Sequence, residues 1–228
     1  MYRSVKVLLM CLFVLAPLPA LASTIYTLNI DGSTGGLGPA PYATIALTQA
    51  GANTVHFVVD LTPTGAGLQF VLTGNAAKAS TIGFNIAGAN PTVSFLNPSL
   101  TGWTLQQGLA GGYSSNGVFG SFEYSLNCCS SQNGGSNAQA GPLSFDLTAP
   151  GLTVAQFQTL SNNGNNPGAY FVIDLLGNTG TGNPATGYVG VRDLPVDDSV
   201  TPAAVPEPTS LLLIGAGLAG LGLFRRKF

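Results

Sequence analysis

The chain has 228 residues, of which 45 % are hydrophobic and only 7 % charged, with 7 Lys and Arg against 9 Asp and Glu. Disordered chains carry much charge and few apolar residues, so disorder is excluded, and a formal net charge of −2 gives nucleic acid nothing to bind. Solubility must come from Ser, Thr, Asn, Gln and the 31 glycines, a composition common in extracellular β-rich proteins.

The N-terminus reads as a secretory signal peptide over residues 1–22. Arg3 and Lys6 form a positive start, Val7 to Leu15 an apolar run, and Ala20-Leu21-Ala22 a small-x-small cleavage site, so the mature chain is expected to begin at Ser23. A lipoprotein signal needs a Cys directly after the cleavage site. Cys11 lies inside the apolar run instead, and lipidation is not expected.

Residues 23–192 read as β throughout, in short runs of period-two alternation separated by Gly, Pro, Asn and Ser turns. Tyr26, Leu28 and Ile30 share one parity; so do Val55, Phe57 and Val59; Ile82, Phe84 and Ile86; Phe122, Tyr124 and Leu126; and Phe171, Ile173 and Leu175. Each set can face one apolar layer. Ala43–Thr48, Leu68–Leu72, Thr92–Leu96, Gly102–Leu105, Pro142–Leu147 and Gly187–Arg192 bring the expected strands to about ten or eleven. One helix is expected, where Thr153-x-x-Gln156 forms a capping box opening Val154 to Leu160, with Val154, Phe157 and Leu160 on one side. The expected fold is all-β, a two-sheet antiparallel β-sandwich of jelly-roll type with one short helix.

Three loops, Gly108 to Gly117, Ser130 to Gly141 and Asn162 to Gly168, are polar and almost free of charge. They read as surface connections, or as loops displayed at one end of the sandwich to hold a ligand such as a glycan. No catalytic constellation emerges: His56 is the only histidine, on the strand face opposite Val55, Phe57 and Val59, and no Gly-x-Ser-x-Gly elbow exists. Three carboxylates share a context, in Val59-Asp60-Leu61, Phe145-Asp146-Leu147 and Ile173-Asp174-Leu175. They read as strand-end residues accepting backbone N–H bonds, with a Ca²⁺ site or a glycosidase pair as functional alternatives. No metal ligand set has the usual spacing and no cofactor is expected. Cys128 and Cys129, the two cysteines beyond the signal, can form a vicinal disulfide, the favoured reading, or stay reduced, or pair with another chain.

Residues 193–205, with three Asp and no aromatic, read as a linker. Over residues 23–205 Lys78 and Arg192 face eight acidic residues, a net of −6 that disfavours nucleic acid and anionic lipid. Leu194-Pro195-Val196-Asp197-Asp198 begins like a sortase motif but lacks its Thr-Gly. The final residues, 206–228, carry the clearest signal. Pro206-Glu207-Pro208 precedes an apolar segment, 209–224, whose 14 uncharged residues from Leu211 to Phe224 would span roughly 21 Å as a helix, short for a permanent anchor, and Arg225, Arg226, Lys227 and Phe228 follow. The cations should stay on the cytoplasmic side of the inner membrane. Gly215-x-Gly217-x-x-Gly220 matches a dinucleotide fingerprint but lacks the following helix and acidic residue, so it reads as small-residue packing of a membrane helix.

This order of Pro-Glu-Pro, apolar helix and basic end resembles the PEP-CTERM sorting domain of bacterial surface proteins. The resemblance covers about a tenth of the chain. It implies recognition and removal of the tail by exosortase, a membrane-embedded cysteine protease, near Pro206-Glu207-Pro208, which would be substrate rather than catalyst. It also implies association with an extracellular polysaccharide matrix. The resulting expectation is a non-enzymatic protein, transiently anchored, then delivered to the cell surface for structure or adhesion. A glycan- or calcium-binding surface module is the alternative.

Overall fold

The computed structural model describes residues 23–197 except 33–36, 62–66, 74–78, 89–90, 116–117, 130–133, 163–166 and 179–183. The expected signal peptide and the tail with its membrane helix over 209–224 lie outside the described residues. Within them, no helix is long and apolar enough to cross a membrane.

Sixteen strands follow in chain order. They are β1 (Ser23–Leu28), β2 (Ile30–Asp31), β3 (Ala43–Gly51), β4 (Thr54–Asp60), β5 (Gln69–Leu72), β6 (Ile82–Phe84), β7 (Ser94–Leu96) and β8 (Trp103–Gln107). After them come β9 (Tyr113–Ser114), β10 (Ser121–Phe122), β11 (Tyr124–Cys128), β12 (Gly134–Ala140), β13 (Leu143–Thr148), β14 (Phe171–Asn178), β15 (Pro184–Val191) and β16 (Val196–Asp197). A six-stranded sheet has the order β16-β1-β3-β4-β13-β7, all antiparallel. The larger, eight-stranded sheet runs β12-β5-β14-β6-β11-β8, with β15 added beside β14 and β2 beside β15. Its centre forks: β15 lies along the whole of β14, while the opposite edge of β14 pairs with β6 at Phe171–Ile173 and with β5 at Leu175–Leu176. In the smaller sheet β1, β3 and β4 run side by side as a meander rather than as the interlocked Greek keys of a jelly roll.

The alternation read from the sequence places the core. Tyr26, Leu28, Ile45, Leu47, Val55, Phe57, Val59, Leu143, Phe145 and Leu147 of the smaller sheet join Phe70, Ile82, Phe84, Tyr124, Leu126, Phe171, Ile173, Leu175 and Val189 of the larger in one buried cluster. Phe57 is its hub, stacked on Phe145 at 4.7 Å and meeting Phe157, Phe84 and Phe171 at 5.0, 6.1 and 6.5 Å between ring centroids. Burying each such ring contributes about 1.5–3 kcal/mol.

A second, smaller core lies on the other face of the larger sheet, where Phe119, Phe122, Ala169, Val172 and Tyr188 are buried together. Two glycines make room for it. A Cβ at Gly83 would stand 2.8 Å from the Phe122 ring, and one at Gly190 2.7 Å from the Phe119 ring, closer than side chains tolerate. The expected common facing of Phe122, Tyr124 and Leu126 therefore breaks at Glu123. A bend there ends β10 and starts β11, sending Phe122 outward and the other two inward.

Three further expectations need correction. Ser130 to Gly141 is not wholly loop, because Gly134–Ala140 forms β12, held to β5 by backbone bonding that needs no apolar alternation. Val196–Asp197, expected in the linker, pairs with β1 as β16. The helix is a single 3-10 turn, Val154–Phe157, with Thr153 N donating to Gln156 Oε1 at 2.8 Å. Phe157 is buried as expected, but Leu160, beyond the turn, is 47 % exposed.

Candidate functional site

A cleft of about 670 Å³ lies beside the larger sheet. It is lined by Thr92, the Gln107–Gly112 turn, the Ser121–Tyr124 segment and Asn162. Two of the polar loops singled out in the sequence, those starting at Gly108 and Asn162, thus meet at one place. The third, Ser130 to Gly141, does not contribute to the lining.

Hydrogen bonds fix each wall. Gln107 clamps Val93 from both sides, accepting from its N–H and donating to its carbonyl, each at 3.0 Å. Tyr124 donates to the Pro91 carbonyl at 2.7 Å, and burial together with neighbouring Glu123 pushes its phenol up to about 12. The Glu123 N–H donates to Asn85 Oδ1 at 2.7 Å, while Asn85 Nδ2 reaches the Leu160 carbonyl at 2.9 Å. Ser121 and Asn162 exchange two backbone bonds of 2.8 and 3.1 Å. The turn itself is built on glycine: Gly108, Gly111 and Gly112 have φ of 80°, 84° and 75°, where other residues are strained. Gly112 donates to the Leu109 carbonyl at 2.9 Å, and a Cβ there would lie 2.7 Å from the Phe122 carbonyl.

His56 is placed where alternation put it, on the outward face of the smaller sheet, but it is not alone there. Its Nδ1 lies 2.7 Å from Oδ1 of Asp146, its registered neighbour on β13, and Asn97 Nδ2 donates to the other carboxylate oxygen at 2.9 Å. The bond from Asn97, together with that to His56, holds the Asp146 carboxyl below its ordinary value against a partial burial that acts the other way. The His56 side chain is 41 % exposed and Asp146 20 %, so this is a hydrogen-bonded pair at the surface. Neither residue lines the cleft.

The three carboxylates do not converge. Only Asp60 ends a strand; Asp146 and Asp174 sit within β13 and β14, which corrects the strand-end reading for both. Asp60 and His56 are four residues apart on β4, so Asp60 is about 13 Å along the sheet from the Asp146 row, beyond the spacing of a glycosidase pair. Asp174 is on the other sheet, opposite Tyr188 on its outward face. Burial raises its carboxyl to about 7, and burial followed by the Asp174 charge raises the Tyr188 phenol. Beside this pair, Asn127 Oδ1 accepts from Thr73 Oγ1, the Thr81 N–H and Ser125 Oγ at 2.8, 3.0 and 3.1 Å, a buried polar knot joining β11 to the segments around β5 and β6. Among the described residues no group of three His, Cys, Asp or Glu could hold a metal ion.

Cys128 and Cys129 are bonded to each other, with sulfurs 2.09 Å apart, at the end of β11. Cys129 has φ of 64° and donates its N–H to the Gly102 carbonyl at 3.1 Å; Gly102 leaves space for both sulfurs, which would lie 3.0 and 3.3 Å from a Cβ there.

The processing residues Pro206, Glu207 and Pro208, and Arg225, Arg226 and Lys227, are outside the described residues, as are Ala20 and Ala22 of the expected signal cleavage site; Ser23 is the first residue of β1. Residues 204–227 match the model of the PEP-CTERM protein-sorting motif. The chain carries a PEP-CTERM sorting tail. No curated protein and no solved structure matches the chain. The PEP-CTERM tail implies export, transient membrane anchoring and processing by exosortase.

Proposed function

We propose that this is an exported surface or extracellular-matrix protein with a non-catalytic, structural or adhesive role, delivered by its PEP-CTERM tail. The observation that carries the reading is the match over residues 204–227. In this reading, Pro206-Glu207-Pro208 is the segment exosortase reads, and Arg225, Arg226 and Lys227 hold the tail's end at the cytoplasmic face of the inner membrane. Removal of residues 1–22 at Ala20-Leu21-Ala22 leaves the sixteen strands of the described residues intact, since β1 begins at Ser23. An apolar-cored domain poor in charge suits a matrix component. The non-catalytic role is supported by the placement of His56, whose bond goes to Asp146 on an outward sheet face away from the cleft.

The triplet and the cations should act at different steps. Glu207→Ala is expected to give a membrane-bound, unprocessed precursor, seen by fractionation and immunoblot. Neutralising Arg225, Arg226 and Lys227 should instead weaken retention in the membrane, because the short apolar span is a modest anchor. Normal processing of the Glu207→Ala chain would overturn the assignment.

A further inference from the structure

We propose that the cleft between the Gln107–Gly112 turn and the Ser121–Tyr124 segment is a binding site for the end of a neutral, hydroxyl-rich molecule, a saccharide. Its volume of about 670 Å³ lies in the range of small-molecule sites. Its walls are held before any ligand arrives: Gln107 and Tyr124 fix the 91–93 edge, the Ser121–Asn162 pair fixes the far side, and Asn85 fixes Glu123. Preorganisation of this kind lowers the ordering cost of binding.

The lining selects the chemistry. Among the described residues of the lining Glu123 is the one charged residue, and none is Lys, Arg or His. A phosphate, sulfate or uronate would therefore bring a second negative charge with no cation among the described lining residues to meet it. A bare divalent cation needs several converging oxygen ligands, and the lining offers one carboxylate. What remains is a ligand that donates hydrogen bonds through hydroxyls to a carboxylate and to the polar groups of Thr92 and Asn162. Glycines make the turn low-walled: a Cβ at Gly108 or Gly111 meets nothing within 4 Å, so a ring can approach backbone there. Among the described residues the cleft has no stacking platform, because Phe122 and Tyr124 are 0 % and 1 % exposed. Binding should accordingly be weak for a single sugar, around the millimolar range, and gain from repeated sites on a polymer.

Saturation-transfer NMR on the full chain, held in a detergent without a sugar headgroup, tests this. The probes are methyl α-glucoside, methyl β-galactoside and N-acetylglucosamine, with glucuronate as the anionic comparison and CaCl₂ alone, followed by chelator, as the cation comparison. At least one neutral sugar should give transfer, with glucuronate at least tenfold weaker. Glu123→Gln should weaken that binding about tenfold, and Thr92→Trp, which fills the cleft from an exposed position, should abolish it while circular dichroism stays unchanged. No transfer from any neutral sugar, equal binding of glucuronate, a response to Ca²⁺ alone, or unchanged binding in either variant would overturn the proposal. It rests on the export reading only for where such a ligand is met. A chain that is processed but binds no sugar sinks the cleft and leaves the sorting tail standing.

Discussion

The outward faces of the two antiparallel sheets treat the same short sequence differently. Phe145-Asp146-Leu147 and Ile173-Asp174-Leu175 each place an Asp outward in mid-strand between inward apolar residues. On the smaller sheet the Asp is wet and partnered by Asn97 and His56, and its carboxyl is pulled below the ordinary value. On the larger sheet Asp174 lies opposite Tyr188 on a face carrying the second core, and burial raises it to about 7. An aspartate's behaviour is thus set by what covers its sheet face, not by its strand context. Asp174 has a cost and Asp146 a small benefit.

The largest expected effect breaks both faces at once by removing the core between them. Phe57→Asp puts a carboxylate among four aromatic rings without a partner, at a cost of several kcal/mol against a total stability of about 5–15 kcal/mol. Loss of the cooperative thermal transition by circular dichroism is expected. A native-like melt would remove Phe57 from the centre of the core.

Asp174→Asn sharpens the contrast. Between the unfolded value of 3.8 and the folded value of about 7, the native state holds a proton that the unfolded state has lost, so stability falls as pH rises through that window and is level above it. The Asn variant lacks this slope and should gain on the order of 4 kcal/mol over wild type at pH 8, with little difference near pH 4. Urea unfolding at the two pH values measures it. An Asn variant less stable at pH 8 would mean that the carboxylate is partnered. Gly190→Ala attacks the cover itself, since its methyl would press on the Phe119 ring. A cost of about 1–3 kcal/mol in urea unfolding is expected, and a neutral result would show the second core to be loosely seated.

Asp146→Asn should have the smallest effect and the opposite sign. Its lowered carboxyl contributes stability that is present above 3.8 and lost as pH falls through the folded value. Because the pair is surface-exposed, the loss at pH 7 should stay within about 1 kcal/mol, and His56→Ala should match it. A large loss from either would mean that this face is not the wet one.

The inward strand faces were legible because each buried residue alternates with a half-exposed one, as in Val55, Phe57 and Val59. Gly134–Ala140 was not, since an edge strand of small polar residues is fixed by its partner's backbone and leaves no periodic trace. The second core was hidden because Phe122 keeps the parity of Tyr124 and only the bend at Glu123 turns it over. His56 and Asp146 were each noted in the sequence, but their bond spans 90 residues and depends on the β4–β13 register. Of the cleft, the Gly108 and Asn162 loops were visible as polar and charge-poor; their meeting was not, because it rests on the Ser121–Asn162 bridge. The tail was readable outright, its three parts being local and contiguous.

The most direct test of delivery by the PEP-CTERM tail is the intact mass of protein released from the surface of producing cells. A chain beginning at Ser23 and ending close to Pro206-Glu207-Pro208 is expected. Recovery of chain that still carries Arg225, Arg226 and Lys227 would contradict it and leave a tail-anchored membrane protein.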